Sequence, residues 1–137
     1  MVRYVRFANR SRLEADAGIP GVFRAAHVLK EQGALAEHEL VWLAELDRWF
    51  NEHLHVPSRL ALRAGYRQPK VALCWFKDTA TVHVRWIRSL AALLREHGVA
   101  VEETVSAKPG YIVYEDEHQI AAVPFGATRR HGRRKKP

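Results

Sequence analysis

The stretch Val71–Gly98, VALCWFKDTATVHVRWIRSLAALLREHG, decides the fold that we predict for this chain. Its first six residues are apolar without a break, whereas a strand with one solvent-exposed face would alternate with polar residues. We therefore predict a strand inside a sheet, covered on both faces. Asp78 offers an N-cap carboxylate for a helix, and apolar residues recur at helical spacing from Thr81. Gly98 suits the left-handed position that ends such a helix.

The face of this helix that points away from the apolar residues carries arginine. Arg85, Arg88 and Arg95 lie within about 80° of one another around the helix axis. We call these three residues the arginine row. Arginine is a good helix former, so a solvated helix face explains the row as well as an anion-binding surface does.

Upstream, the pattern predicts one strand and two helices. Val2–Phe7 alternates apolar residues with arginine, which indicates an edge strand because its charges need water. A first helix is predicted over residues 20–32, with a proline at its start and a glycine after its end. Residues 36–54 show the strongest helical periodicity in the chain. Trp42 and Trp49 lie on its apolar stripe, where a role in the core is the better interpretation than a ligand platform.

Downstream, three further strands are predicted over residues 99–105, 111–114 and 119–125. The turn signal Lys108-Pro109-Gly110 favours an antiparallel hairpin between the first two of them. Residues 115–118 would form the next turn. The helix between residues 71 and 105 should act as a right-handed crossover that makes the strands on either side of it parallel.

The predicted fold class is therefore α/β (α+β). It has a mixed sheet of four to five strands in the order β-α-α-β-α-β-β-β, with three main helices packed on it. We predict a single globular domain over residues 1–126. Residues 127–137 have little to bury and should form a disordered basic tail.

Composition narrows the classes of function. The 137 residues carry a net charge of +7, which favours an anionic partner. No run approaches the ~18 apolar residues of a membrane span, and the first residues lack the apolar core of a signal peptide. Cys74 is the single cysteine, so neither an internal disulfide nor a thiolate metal site is expected. We expect a cytoplasmic protein without a cofactor, and the alanine- and arginine-rich usage hints at a bacterial source.

The charge is arranged in blocks along the chain. Successive segments have net charges of +4 (residues 1–30), −5 (31–54), +7 (55–95), −5 (96–128) and +6 (129–137). Segment 55–95 contains one acid among its forty-one residues. Such a block suits a phosphate-rich partner, because arginine donates two parallel hydrogen bonds and displaces counterions.

Our leading hypothesis is a regulatory or accessory protein that binds DNA or RNA through phosphate contacts. The contacts are assigned to the loop before the central strand, to the arginine row and to the tail. The residues are Arg59, Arg63, Arg67, Lys70, Arg85, Arg88, Arg95, Arg129, Arg130, Arg133, Arg134, Lys135 and Lys136. In the loop, Tyr66 could also stack on bases.

Two other classes stay open. Alternating acidic and basic blocks also suit a protein–protein module such as an inhibitor, antitoxin or immunity-type partner, with segment 31–54 as its contact. A metal-dependent nuclease would use the run Glu115, Asp116, Glu117 and His118, since clustered carboxylates bind Mg²⁺. A polar hairpin turn explains that run more simply. No nucleophile with a matching base and no phosphate-binding glycine loop is recognisable, so the sequence favours a protein that is not an enzyme.

Overall fold

The computed structural model describes residues 1–9, 21–54 and 72–125. Within these ranges it contains three helices and a five-stranded sheet. The elements are β1 (Tyr4–Asn9), α1 (Gly21–Glu31), α2 (Glu37–His53), β2 (Leu73–Lys77), α3 (Thr81–Glu96), β3 (Val101–Ser106), β4 (Tyr111–Glu115) and β5 (Gln119–Val123). The predicted class and order of elements are confirmed.

The strand order in the sheet is β3-β1-β2-β5-β4, and all four neighbouring pairs are antiparallel. The predicted mixed sheet is therefore wrong. β2 and β3 do run in the same direction, because each is antiparallel to β1, but β1 lies between them. α3 thus carries the chain across β1 rather than to the strand next to β2.

β1 is an interior strand, and its predicted position at an edge is also wrong. It pairs with β3 over six residues and with β2 through Tyr4 and Val5. Its arginines do not need an edge, because a long side chain can bury its stem and keep its charged end near water. Arg3 is exposed; Arg6 is half-buried, and burial lowers the pKa of its guanidinium.

β3 and β4 lie at opposite edges, so the hairpin predicted at Lys108-Pro109-Gly110 does not form. Only residues 107–110 join the two strands. From Ser106 to Tyr111 such a link reaches about 17 Å at most. In a flat sheet these two residues would be about 25 Å apart, because they lie at opposite edges, about 19 Å apart, and at opposite ends of the strands, about 16 Å apart. The sheet must therefore be strongly twisted, so that two of its corners approach each other.

Gly110 is required by a close approach of two backbone segments and not by a hairpin turn. Its φ is +150°, and a Cβ at this position would collide with the carbonyl group of Val123. Gly110 directly precedes β4. Because glycine has no Cβ, the backbone at this position can approach the backbone of Val123 at the end of β5.

The main core lies between the three helices and one face of the sheet. Its fully buried side chains are Val22, Leu43, Leu46, Ile87, Leu90 and Leu94, which pack with Val5, Phe7 and Phe76 from the strands. On the opposite face of β2, Trp75 packs with Ile120 and Ala122 and is 8% exposed. With Phe76 on one face and Trp75 on the other both buried, the prediction that the central strand is covered on both faces is confirmed.

The helix ends agree with the sequence in part. α2 has Ala36 and Leu54 as its caps, which are the bounds predicted from its periodicity. Gly98, with φ +84°, follows α3 as expected. The N-cap of α3 is Ala80 and not Asp78. The backbone N–H of Asp78 instead donates to the carbonyl of Arg3, which ties the β2–α3 turn to the start of β1.

Replacing Gly110 by alanine should lower the free energy of unfolding by about 2 kcal/mol or more, because the new Cβ meets backbone atoms that cannot move independently. Gly98→Ala is the matched control. It also places alanine at positive φ but adds its Cβ to open space, so we expect a loss of about 1 kcal/mol. Urea unfolding of both variants measures the difference, and equal losses would contradict the close approach of β4 and β5.

Candidate functional site: charged segments, histidine cluster and tryptophan strip

The arginine row lies beside β3, and β3 engages two of its three members. The guanidinium of Arg88 donates to both carboxylate oxygens of Glu103, at 2.7 and 3.3 Å, and this hydrogen bonding raises its pKa. Arg95 donates to the carbonyl oxygen of Val101 at 3.0 Å. Arg85 is exposed and forms no ion pair with the residues that the structure describes. The row is thus mainly a contact between α3 and β3.

The remaining residues assigned to phosphate binding lie outside the described residues. These are Arg59, Arg63, Arg67 and Lys70 of the loop, and Arg129, Arg130, Arg133, Arg134, Lys135 and Lys136 of the tail. Tyr66 and the predicted disorder of the tail fall in the same two segments. The assignment of these residues to phosphate contacts therefore stays a prediction.

The excess positive charge of the chain lies outside the described part. Residues 1–9, 21–54 and 72–125 contain ten Lys and Arg against thirteen Asp and Glu, a net charge of −3. Segments 55–71 and 126–137 contain ten Lys and Arg and no Asp or Glu. Residues 10–20 contain two of each sign. The described part of the chain is therefore weakly acidic, and the two segments that follow Leu54 and Phe125 are strongly basic.

The run 115–118 closes the β4–β5 hairpin, and its side chains have separate roles. Glu115 pairs with Lys77 at 2.7 Å, and the side chain of Glu117 is 86% exposed. Asp116 accepts hydrogen bonds from the Tyr114 hydroxyl at 2.7 Å and from the backbone N–H of His118 at 2.8 Å. Among the described residues, no three His, Cys, Asp or Glu side chains are placed to hold a metal ion.

Asp116 is the centre of this turn. The backbone N–H and the side-chain amide of Gln119 also donate to it, at 3.0 and 3.1 Å. Burial raises the pKa of Asp116, but the hydrogen bonds from Tyr114, His118 and Gln119 outweigh burial and hold that pKa below its ordinary value. Burial and the bond to Asp116 together raise the pKa of Tyr114 to about 12. The carboxylate is thus occupied as an acceptor by the hairpin itself.

Three histidines from distant parts of the chain meet beside this turn, and we call His53, His83 and His118 the histidine cluster. The His83 and His118 rings stack with their centres 4.3 Å apart. The Nε2–H of His83 donates to the carbonyl oxygen of His53 at 2.9 Å. Because a carbonyl can only accept, this bond fixes the proton of a neutral His83 on Nε2. The cluster joins the end of α2, the start of α3 and the β4–β5 turn.

His83 is 4% exposed. Burial lowers the pKa of its imidazole, and the neighbouring His118 and His53 rings also lower it. The bond to His53 and the charge of Asp116 oppose this shift without cancelling it. The structure thus stabilises a neutral His83. Sequence spacing could not reveal the cluster, because its members are separated by about thirty residues and meet only through tertiary packing.

Cys74 has no sign of a reactive thiol. Burial raises its pKa to about 11, with the charge of Arg6 opposing the shift. The thiolate is the nucleophilic form, and it is scarce at neutral pH when the pKa is this high. The thiol is therefore mostly protonated at neutral pH.

Trp42, Trp49 and Trp86 form a continuous row between α2 and α3, which we call the tryptophan strip. The centre of the Trp86 ring lies 5.9 Å from that of Trp42 and 5.9 Å from that of Trp49. All three side chains pack against the main core but are only partly buried. His53 continues the row, stacked on Trp49 at 4.3 Å. The predicted core role of the α2 tryptophans is therefore confirmed in part, since both rings pack against the core and both stay partly exposed.

Comparison with known proteins identifies no relative: no protein-family description, curated protein or solved structure matches this chain. None of the described helices has the length and apolarity needed to cross a bilayer.

The histidine cluster predicts a dependence of stability on pH. The unfolded chain binds a proton at His83 near pH 6.5, whereas the folded state binds it only at lower pH. The free energy of unfolding should therefore fall as the pH is lowered from about 6.5 toward the folded-state pKa, by at most about 1.4 kcal/mol per pH unit for this one proton.

Urea unfolding between pH 7.5 and 5 measures this effect in the wild type and in His83→Gln, whose amide can still donate to His53. The free energy of unfolding of His83→Gln should depend less on pH than that of the wild type. His38→Gln is the control, because it removes a histidine that is exposed to solvent. If wild type and His83→Gln lose stability in parallel over this range, a neutral, buried His83 is contradicted.

Proposed function

We propose that this protein binds DNA or RNA chiefly through phosphates, in an accessory or regulatory role in the cytoplasm. The observation that supports this is the separation of charge: segments 55–71 and 126–137 hold ten Lys and Arg without an acid, while the described part has a net charge of −3. A polyanion would therefore contact chiefly these two segments.

Counterion release makes such segments effective. Each phosphate that a cation neutralises frees counterions, which favours binding most at low salt. Contacts of this kind fix the position of a protein on nucleic acid but do not read its sequence. We accordingly expect little preference among sequences.

The described part of the chain contributes less to phosphate binding. Arg88 and Arg95 are already bonded to Glu103 and to the backbone of β3. Releasing Arg88 toward a phosphate would leave Glu103 close to that phosphate, where the two anions repel. Arg85, which is exposed, is the member of the arginine row best suited to add a contact.

The test is the salt dependence of affinity for a duplex and for a single-stranded oligonucleotide of mixed sequence. Two full-length variants remove charge from the segments. The first variant replaces four residues of segment 55–71 by glutamine: Arg59, Arg63, Arg67 and Lys70. The second replaces six residues of the C-terminal segment by glutamine: Arg129, Arg130, Arg133, Arg134, Lys135 and Lys136. Each lost phosphate contact should reduce the slope of log K against log salt by about 0.9 for duplex and about 0.7 for single strands.

Arg88→Gln/Glu103→Gln is the control, since it removes a charge pair of the fold without changing net charge. It should leave the slope unchanged. The proposal fails if wild type binds neither nucleic acid at about 20 mM salt, a concentration at which phosphate contacts are strong. It also fails if only the control variant loses affinity.

A protein–protein module is the second candidate, and the tryptophan strip favours it. Tryptophan is enriched at protein interfaces, and α2 carries five carboxylates against one arginine beside the strip. Co-purification of a basic partner that survives nuclease treatment, and that is lost when α2 acids are replaced, would support this candidate over nucleic-acid binding.

A further inference from the structure

α2 presents a repeated pair of side chains along its exposed side. The sequence Trp42-Leu43-Ala44-Glu45 is followed at a spacing of seven residues by Trp49-Phe50-Asn51-Glu52. Seven residues are close to two helical turns, so the two Trp–Glu pairs lie on one face about 10.5 Å apart. Trp86 fills the space between the two indoles. Glu45 and Glu52 are exposed and form no ion pair within the described ranges.

This combination suits a guanidinium group. An indole face attracts a cation through its quadrupole. Trp49 lies between the Trp86 and His53 rings, whereas Trp42 has Trp86 as its one ring neighbour among the described residues, so Trp42 is the indole that offers a face. At both pairs the carboxylate can accept two parallel bonds from arginine. A phosphate would be repelled by the same carboxylates. Glu39 and Asp47 differ in this respect, because they pair with His97 and His27, and Glu37 lies outside the repeat. The repeated pair therefore favours an arginine-rich peptide over nucleic acid.

We propose that this surface binds the C-terminal segment 127–137 of the same chain. The segment has two arginine pairs, Arg129-Arg130 and Arg133-Arg134. In an extended backbone, residues three or four apart are separated by about 10 to 13 Å, which matches the spacing of the two Trp–Glu pairs. The segment follows directly after Phe125, and an extended chain from Phe125 reaches about 14 Å at Arg129 and about 30 Å at Arg134. The charges are complementary, since the segment has six cations and no acid.

One consequence rests on the proposed function. A tail held on α2 is withheld from a polyanion, so docking would weaken nucleic-acid binding until phosphates displace the tail. The surface itself is tested without nucleic acid, so that the two proposals can fail separately.

The experiment follows trypsin cleavage after the tail arginines of the full-length protein, with the fragments identified by mass. Docking hides these bonds, and cleavage then follows the population of released tail. Glu45→Gln/Glu52→Gln should speed cleavage about three- to tenfold at low salt. The control Glu31→Gln/Glu37→Gln removes the same charge from exposed positions outside the repeat and should leave the rate nearly unchanged.

A second measurement reports on the strip directly. In full-length protein with Arg129, Arg130, Arg133 and Arg134 replaced by glutamine, acrylamide should quench tryptophan fluorescence more strongly than in wild type. Adding a peptide of residues 127–137 to this variant should reverse the change. Equal quenching and equal cleavage in all variants would overturn the proposal. Protection that disappears on dilution would assign the surface to the tail of a second copy and would overturn docking within one chain.

Discussion

The position of β1 between β2 and β3 is the constraint on which the rest of the structure depends. β1 pairs along its whole length with β3 and at its start with β2, and its helix-facing side chains Val5 and Phe7 are buried in the main core. Because β1 occupies the position next to β2, α3 must carry the chain across it to reach the edge. That crossing places Arg88 beside Glu103 and Arg95 beside the start of β3. The topology therefore converts most of a basic helix face into an internal contact.

The same arrangement separates two kinds of surface. The described part of the chain is weakly acidic and presents aromatic side chains between α2 and α3, while the basic residues concentrate in two segments that leave it at Leu54 and Phe125. Basic segments of this kind suit phosphates, and an acidic aromatic surface suits cations. The proposed function and the proposed docking of the tail both follow from this separation. The net charge of the whole chain, +7, does not show this separation of acidic and basic parts.

Local patterns in the sequence predicted the elements well and their arrangement poorly. The bounds of α2 follow from periodicity within the helix, and the two-sided burial of β2 follows from its apolar run; both depend on neighbouring residues only. Strand order depends on pairing between distant segments, so neither the interior position of β1 nor the separation of β3 from β4 was accessible. The sequence marked Gly110 as a turn residue of a hairpin. The structure instead requires glycine there because its backbone lies against that of Val123. The histidine cluster and the Arg88–Glu103 pair were missed for the same reason, since each joins residues that only the fold brings together.

The central claim is that polyanions contact chiefly the two basic segments rather than the described part of the chain, and lysine footprinting tests it most directly. The chain has six lysines, of which Lys70, Lys135 and Lys136 lie in the basic segments and Lys30, Lys77 and Lys108 in the described part. Acylation with and without a bound oligonucleotide, read by mass spectrometry, reports on all six at once. The account predicts that the oligonucleotide protects the first three and leaves the reactivity of the other three unchanged. Protection of Lys30, Lys77 and Lys108 with continued reactivity of Lys70, Lys135 and Lys136 would contradict it.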